Sequence, residues 1–209
     1  MPKLLVLYCN PYEHIEAMAG AIAEGACEVP YTAVTIKRIP ELVSEEVARK
    51  PISKLDLRAL ATVDELPEYD AIIIGASTHF GNMCAQMANF FEQTSNLWIR
   101  GALIGKVGSV FASAATQPGG QETTIISMHT TLLHHGMIIV GMPYGAQDLV
   151  NIDEVTGGTP CGARTPAKAD GPHNPIANAM ELARLQGRHV AGITAKLTAA
   201  SGSRPVMLW

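Results

Sequence analysis

Several signatures that would fix a function at once are missing from this sequence. No G-x-G-x-x-G follows its first apolar run and no G-x-x-x-x-G-K-[ST] occurs, which removes the dinucleotide fingerprint and the P-loop. The four cysteines, Cys9, Cys27, Cys84 and Cys161, form no C-x-x-C pair, so neither a zinc ribbon nor a dithiol redox motif is visible and all four read as reduced thiols. No apolar run approaches the roughly 20 residues that cross a bilayer, and no basic segment followed by an apolar one opens the chain. The expectation is a soluble, cytoplasmic protein. Charge is scarce at 16% of residues and sums to −4, so no broad basic field invites nucleic acid or an anionic membrane. There is no internal repeat and no low-complexity tract.

What the sequence does have is apolar material: 47% of its 209 residues, enough for one core and for surface to be hidden by self-association. Four short runs are apolar at nearly every position: residues 3–8 (KLLVLY), 70–75 (DAIIIG), 107–111 (VGSVF) and 137–140 (MIIV), with a weaker run at 32–36 (TAVTI). Such runs fit strands buried on both faces. Helical spacing alternates with them. Ile15, Met18, Ala19, Ile22 and Ala26 form one stripe; Cys84, Met87, Ala88 and Phe91 a second; Ile125, Met128, His129 and Leu132 a third; and residues 176–197 suit a final helix. Alternation of this kind predicts an α/β fold with a doubly wound, five-stranded parallel sheet in the order 2-1-3-4-5. The whole chain reads as a single domain, with excursions at 38–66 and 143–175 that are too long for plain connections.

In such sheets the ligand lies beyond the carboxyl ends of the strands, where the order reverses. The loops after strands one, three and four read NPYEHI (10–15), STHFGN (77–82) and SAATQPGGQ (113–121). Hydroxyls, amides and glycines suit a phosphate and a planar heterocycle, and with both nucleotide fingerprints missing a mononucleotide remains, FMN first. The bland alternative for 10–15 is an ordinary connection whose polar residues cap a helix.

A colinear set of segments carries more: Phe80-Gly81-Asn82-Met83 with Gln86-Met87, Leu97-Trp98 with Gly101-Ala102-Leu103, Gly119-Gly120-Gln121-Glu122, His134-His135-Gly136-Met137, and Gly157-Gly158-Thr159-Pro160. With these the sequence resembles the WrbA-type NAD(P)H:quinone oxidoreductases of the flavodoxin-like superfamily, from about residue 3 to residue 197. The resemblance implies a homotetramer that binds FMN, takes hydride from NADH or NADPH and passes two electrons to a small-molecule quinone in ping-pong fashion. It implies that Asn10, Pro11, Tyr12, Glu13, His14 and Ile15 hold the FMN phosphate. Thr78, His79, Phe80, Gly81 and Asn82 would then border the isoalloxazine, with Ser113, Ala114, Ala115, Thr116, Gln117, Pro118 and Gly119 over its polar edge. Trp98 and Tyr12 would line the substrate pocket, and His134 would reach the flavin as the catalytic hydrogen-bond donor.

Three residues depart from the family's pattern. Asn10, Glu13 and His79 stand where serine, glycine and arginine are usual, so a carboxylate lies near the phosphate and a permanent positive charge is lost near the flavin. The third loop is one residue longer at Gln117-Pro118. These departures motivate a flavin-less interaction protein as one alternative, and a one-electron carrier of the flavodoxin type is another. The cluster His129, His134 and His135 lacks the i, i+4 spacing of helical metal ligands, so no metal is expected. His129 falls on the apolar stripe and reads as a core residue, whereas His134 lies about 180° around from Ile125. Trp98 tilts toward a pocket wall and Cys84 reads as structural.

Overall fold

The computed structural model describes residues 1–9, 13–40, 42, 59–116, 119–143, 158–166 and 177–201. In chain order the elements are β1 (Lys3–Tyr8), α1 (Glu13–Cys27), β2 (Ala33–Arg38), a 3-10 turn (Val63–Glu68), β3 (Ala71–His79), β4 (Asn82–Met83), α2 (Ala85–Glu92) and α3 (Ser95–Ile99). There follow β5 (Val107–Ala114), α4 (Gln121–His134), β6 (Ile138–Ile139), β7 (Gly158–Thr159), β8 (Gly162–Pro166) and α5 (Ala177–Ser201).

The apolar runs form strands because side-chain alternation sends each run into two cores at once. Leu4, Val6 and Tyr8 of β1 join Ala71 and Ile73 of β3 and Phe111 of β5 beneath α1 and α5. Leu5 and Leu7 join Ile72, Ile74, Val110 and Ala112 on the other face, beneath α2, α3, α4 and the 3-10 turn. Each large aliphatic side chain so buried contributes about 1.5–3 kcal/mol.

The main path through the sheet is β2-β1-β3-β5-β8-β7. Its first four strands are parallel, in the register Lys3↔Ala33, Leu4↔Ala71 and Ala71↔Val107. This is the predicted 2-1-3-4 order. The fifth position is occupied in two pieces. β6 pairs with Val107 and Gly108, and β8 pairs with Ala112, Ser113 and Ala114, both parallel to β5. The predicted strand 137–140 is thus only its first piece, and the segment 143–175, expected as an excursion, supplies the second. In the 38–66 excursion the described part returns alongside β2, where the Arg38 N–H donates to the Ala59 carbonyl at 3.2 Å and the Ala61 N–H to the Arg38 carbonyl at 2.8 Å.

The stripe of α1 is buried as its spacing predicts, but α2 differs. Cys84 precedes it as the N-cap, its buried residues are Met87 and Phe90, and Ala88 is exposed. Among the described residues no helix is long and apolar enough to cross a membrane.

Candidate functional site at the carboxyl edge of the sheet

At the end of β1 the Cys9 N–H donates to the Gly75 carbonyl at 3.0 Å, which carries the chain to the sheet's carboxyl edge. α1 starts at Glu13, so the N–H groups of its first turn, at Glu13, His14 and Ile15, have no carbonyl within the helix to bond and carry the positive end of its dipole. The Ile15 side chain is in the core and His14 is buried, so what Ile15 offers the edge is its backbone alone. Asn10, Pro11, Tyr12 and the Glu13 side chain lie outside the described residues, as do Gln117 and Pro118.

The second loop is a tight hairpin. β3 runs to His79, and Phe80 and Gly81 take positive φ of 52° and 75°, the two-residue geometry that reverses a twisted pair, with His79 opposite Asn82. Asn82 Oδ1 accepts from the Met83 N–H and from the Ser127 hydroxyl, each at 2.8 Å, tying the hairpin to α4. Phe80 projects fully into solvent, at 108% exposure, so within one chain it covers nothing. Just before the turn, Ser77 Oγ and Thr78 Oγ1 are buried with no hydrogen-bond partner among the described residues.

The third loop leaves β5 through the buried Ser113 and Ala114 and reaches α4 at Gly119-Gly120. A Cβ on Gly119 would lie 2.5 Å from the Thr116 carbonyl oxygen, and one on Gly120, whose φ is +83°, would lie 3.0 Å from Gly81 Cα. Gly119 is therefore needed for the third loop to fold back on itself, and Gly120 for the second and third loops to touch. The buried Gln121 closes the third loop from within. Its Oε1 accepts from the Gly119 N–H at 2.8 Å and its Nε2 donates to the Thr116 carbonyl at 3.1 Å.

Trp98 and His134 meet each other but not this edge. The Trp98 Nε1–H donates to the His134 carbonyl at 3.0 Å. Three residues on from His135, Ile138 pairs with Val107, the first residue of β5, so this contact lies at the amino edge of the sheet. The 14 residues of α4 separate it from Gly120, about 21 Å at 1.5 Å per residue. Within one chain His134 cannot reach a ligand held by the three loops, and neither can Trp98.

Beside this contact is a cavity of about 310 Å³ lined by Met83, Phe91, Thr94, Trp98, Thr131 and His135 among others. Here His135 Nε2 lies 2.9 Å from Thr94 Oγ1. The Thr94 hydroxyl donates to the Phe91 carbonyl at 2.6 Å, so the imidazole must be the donor to it. Burial, then the charge of His134, lowers the His135 pKa.

A family model described as NADPH-dependent FMN reductase matches residues 2–149, well over half the chain. The chain belongs to the NADPH-dependent FMN reductase family. Solved structures agree with this reductase family's flavodoxin-like fold. A flavodoxin, WrbA-like protein from Agrobacterium tumefaciens is 23% identical, with a TM-score of 0.65 over 94% of this chain and 99% of its own. A flavodoxin from the domain Archaea is 20% identical, with a TM-score of 0.60 over 92% of this chain and 99% of its own. Oxidised flavodoxin 1 from Bacillus cereus is 16% identical, with a TM-score of 0.59 over 91% of this chain and 97% of its own.

Two residues of this FMN reductase family member escape a sequence reading. Gln121 lay in view within the Gly-Gly-Gln-Glu segment, but its role as an internal clasp needs the fold of the loop. Arg164 gave no signal. It lies on β8 opposite Ala112, two residues short of the end of β5, and its Nε is buried with no partner among the described residues.

Proposed function

We propose that the chain is a WrbA-type NAD(P)H:quinone oxidoreductase that holds FMN at the carboxyl edge of its sheet. The observation that carries this is the pair of buried hydroxyls of Ser77 and Thr78, unpartnered among the described residues and set where the glycine-bearing third loop meets the hairpin. Buried hydroxyls without partners cost about 1–3 kcal/mol each and call for a polar ligand. The edge also fits FMN by its donor set, since the first turn of α1 offers N–H groups and a positive dipole end to a phosphate. When bound, FMN supplies the two-electron chemistry, taking electrons from NADH or NADPH and passing them to a quinone.

The chain's own residues do the holding. Asn10, Tyr12 and the N–H groups of Glu13, His14 and Ile15 take the phosphate. Thr78 and His79 border the ring on one side, and Ser113 through Gly119 cover its polar edge. Arg164, on β8 and two strands across the sheet from His79, brings a permanent positive charge near the same edge. Replacing it by glutamine removes one charge-assisted contact, worth about 1.5–3 kcal/mol, and weakens FMN binding roughly ten- to a hundredfold.

Trp98 and His134 complete the quinone pocket from a second copy of the chain. Exposed large apolar side chains support assembly: Phe80 on the hairpin, Trp98 and Ile99 on α3, and Ile126 and Leu133 on α4. The homotetramer is the assembly proposed. Stopped-flow mixing of flavin-loaded protein with NADPH and a benzoquinone tests the activity. Direct oxidation of NADPH with quinone turnover is expected, whereas a carrier of the flavodoxin type leaves NADPH unoxidised.

A further inference from the structure

Cys9 leaves β1 and Cys84 caps α2, and both are buried, at 3% and 1% exposure. Alternation along β1 turns Leu5, Leu7 and Cys9 to one face, and Cys84 and Met87 pack into the same cluster. Both backbones are pinned to β3, Cys9 at its midpoint and Cys84 near its carboxyl end. The Cys9 N–H bonds the Gly75 carbonyl, and Cys84 directly follows Met83, which pairs with Thr78. As a result the two thiols, remote in sequence, are neighbours in one buried cluster. The Cys9 thiol is the strongest influence on the Cys84 thiol, which burial opposes and the N–H groups of Met87, Cys84 and Gln86 assist, and together they bring its pKa down to about 7. A thiol so placed at the start of a helix has thiolate character that a merely space-filling cysteine lacks.

We propose that Cys9 and Cys84 form a reversible dithiol–disulfide pair that closes in response to hydroperoxide and locks the end of β1 to the amino end of α2. The Cys84 thiolate attacks one peroxide oxygen, the O–O bond breaks, and the departing oxygen leaves as water after taking a proton, giving a sulfenic acid on Cys84. The Cys9 sulfur then attacks the Cys84 sulfur, its proton leaves with the hydroxyl as a second water, and the S–S bond forms. Two thiols and one hydrogen peroxide become one disulfide and two waters, and the peroxide takes the two electrons. The other cysteines have no such neighbour. Cys27 is exposed, and the Cys161 thiol lies 3.9 Å from Glu122 Oε1. The chemistry needs no flavin and is independent of the function proposed above.

The test uses the full chain, reduced, desalted and exposed to hydrogen peroxide. Free thiols are then blocked with N-ethylmaleimide in denaturant, followed by intact mass and peptide mapping. The expected result is loss of two of the four alkylation sites, a mass below that of the reduced, alkylated control by those two adducts and two hydrogens, and a peptide joining Cys9 to Cys84 that dithiothreitol releases. In Cys9→Ser the joined peptide is absent and dimedone labels Cys84. In the double variant Cys27→Ser/Cys161→Ser the joined peptide persists. Should Cys9→Ser fail to fold, the peptide map of the unmodified chain decides alone. Four thiols still alkylated after peroxide, or a disulfide to Cys27 or Cys161 in place of the Cys9–Cys84 link, overturns the proposal.

Discussion

A Cβ on Gly187 would lie 1.9 Å from the Ile22 carbonyl oxygen, and one on Gly25 would lie 1.9 Å from that of Arg184, so α5 and α1 touch backbone to backbone. Gly187→Ala forces the helices apart. The expected cost is about 1–3 kcal/mol, read by calorimetry as a Tm lower by roughly 3–10 °C, and an unchanged Tm contradicts it. His129 is half-buried on α4 with its Nε2 buried and unpartnered among the described residues, and burial lowers its pKa from the usual 6.5. The unfolded chain therefore takes up the proton first. The stability His129 contributes is intact above pH 6.5 and drains away as pH falls toward the depressed folded-state value. Urea midpoints should fall between about pH 7 and pH 5, and His129→Phe should flatten that fall, leaving the part due to His135, which shifts in the same direction. The apolar stripe alone was enough to place His129 against the core. A motif position does not say which group of a residue faces a ligand, however, and Ile15 spends its side chain on the core.

At the scale of elements, β1, β3, β5 and α1 were legible because each is a long enough apolar run or stripe to announce its own burial. β8 was not. Its five residues, GARTP, include a glycine and a proline, and it is held by a partner far along the chain. That partner is Gln186 of α5, fully buried. Its Nε2 donates to Ser109 Oγ at 2.7 Å and to the Val110 carbonyl at 2.8 Å, and its Oε1 accepts from the Ala163 N–H at 2.8 Å. One amide thus fastens α5 to β5 and β8 together. Gln186→Leu leaves the Ala163 N–H buried without a partner, at a cost of about 1–3 kcal/mol. Hydrogen exchange should accelerate at residues 162–166 more than in β1 or β3. Uniform protection across the sheet would show that β8 is held by other means. Because Arg164 rides on β8, its nearness to the candidate site was hidden with the strand.

At the scale of the molecule, the two ends of the chain's chemistry lie apart. The loops that suit FMN are at the carboxyl edge, and Trp98 with His134 is at the amino edge. A pocket that uses both needs a second copy, which ties activity to assembly. Leu133, 59% exposed on the last turn of α4, offers a clean test. Leu133→Glu should dissociate the assembly in analytical ultracentrifugation and abolish quinone turnover while FMN binding persists, and a dissociated variant with full turnover contradicts a pocket shared between copies. The sequence spacing placed the loops together, but the separation of His134 from them became visible only once α4 had a direction and a length. Flavin binding at the carboxyl edge underlies the proposed function, and titrating the purified chain with FMN while following flavin fluorescence tests it. Quenching that saturates at one flavin per chain is expected, and a colourless protein that leaves FMN fully fluorescent throughout the titration contradicts it.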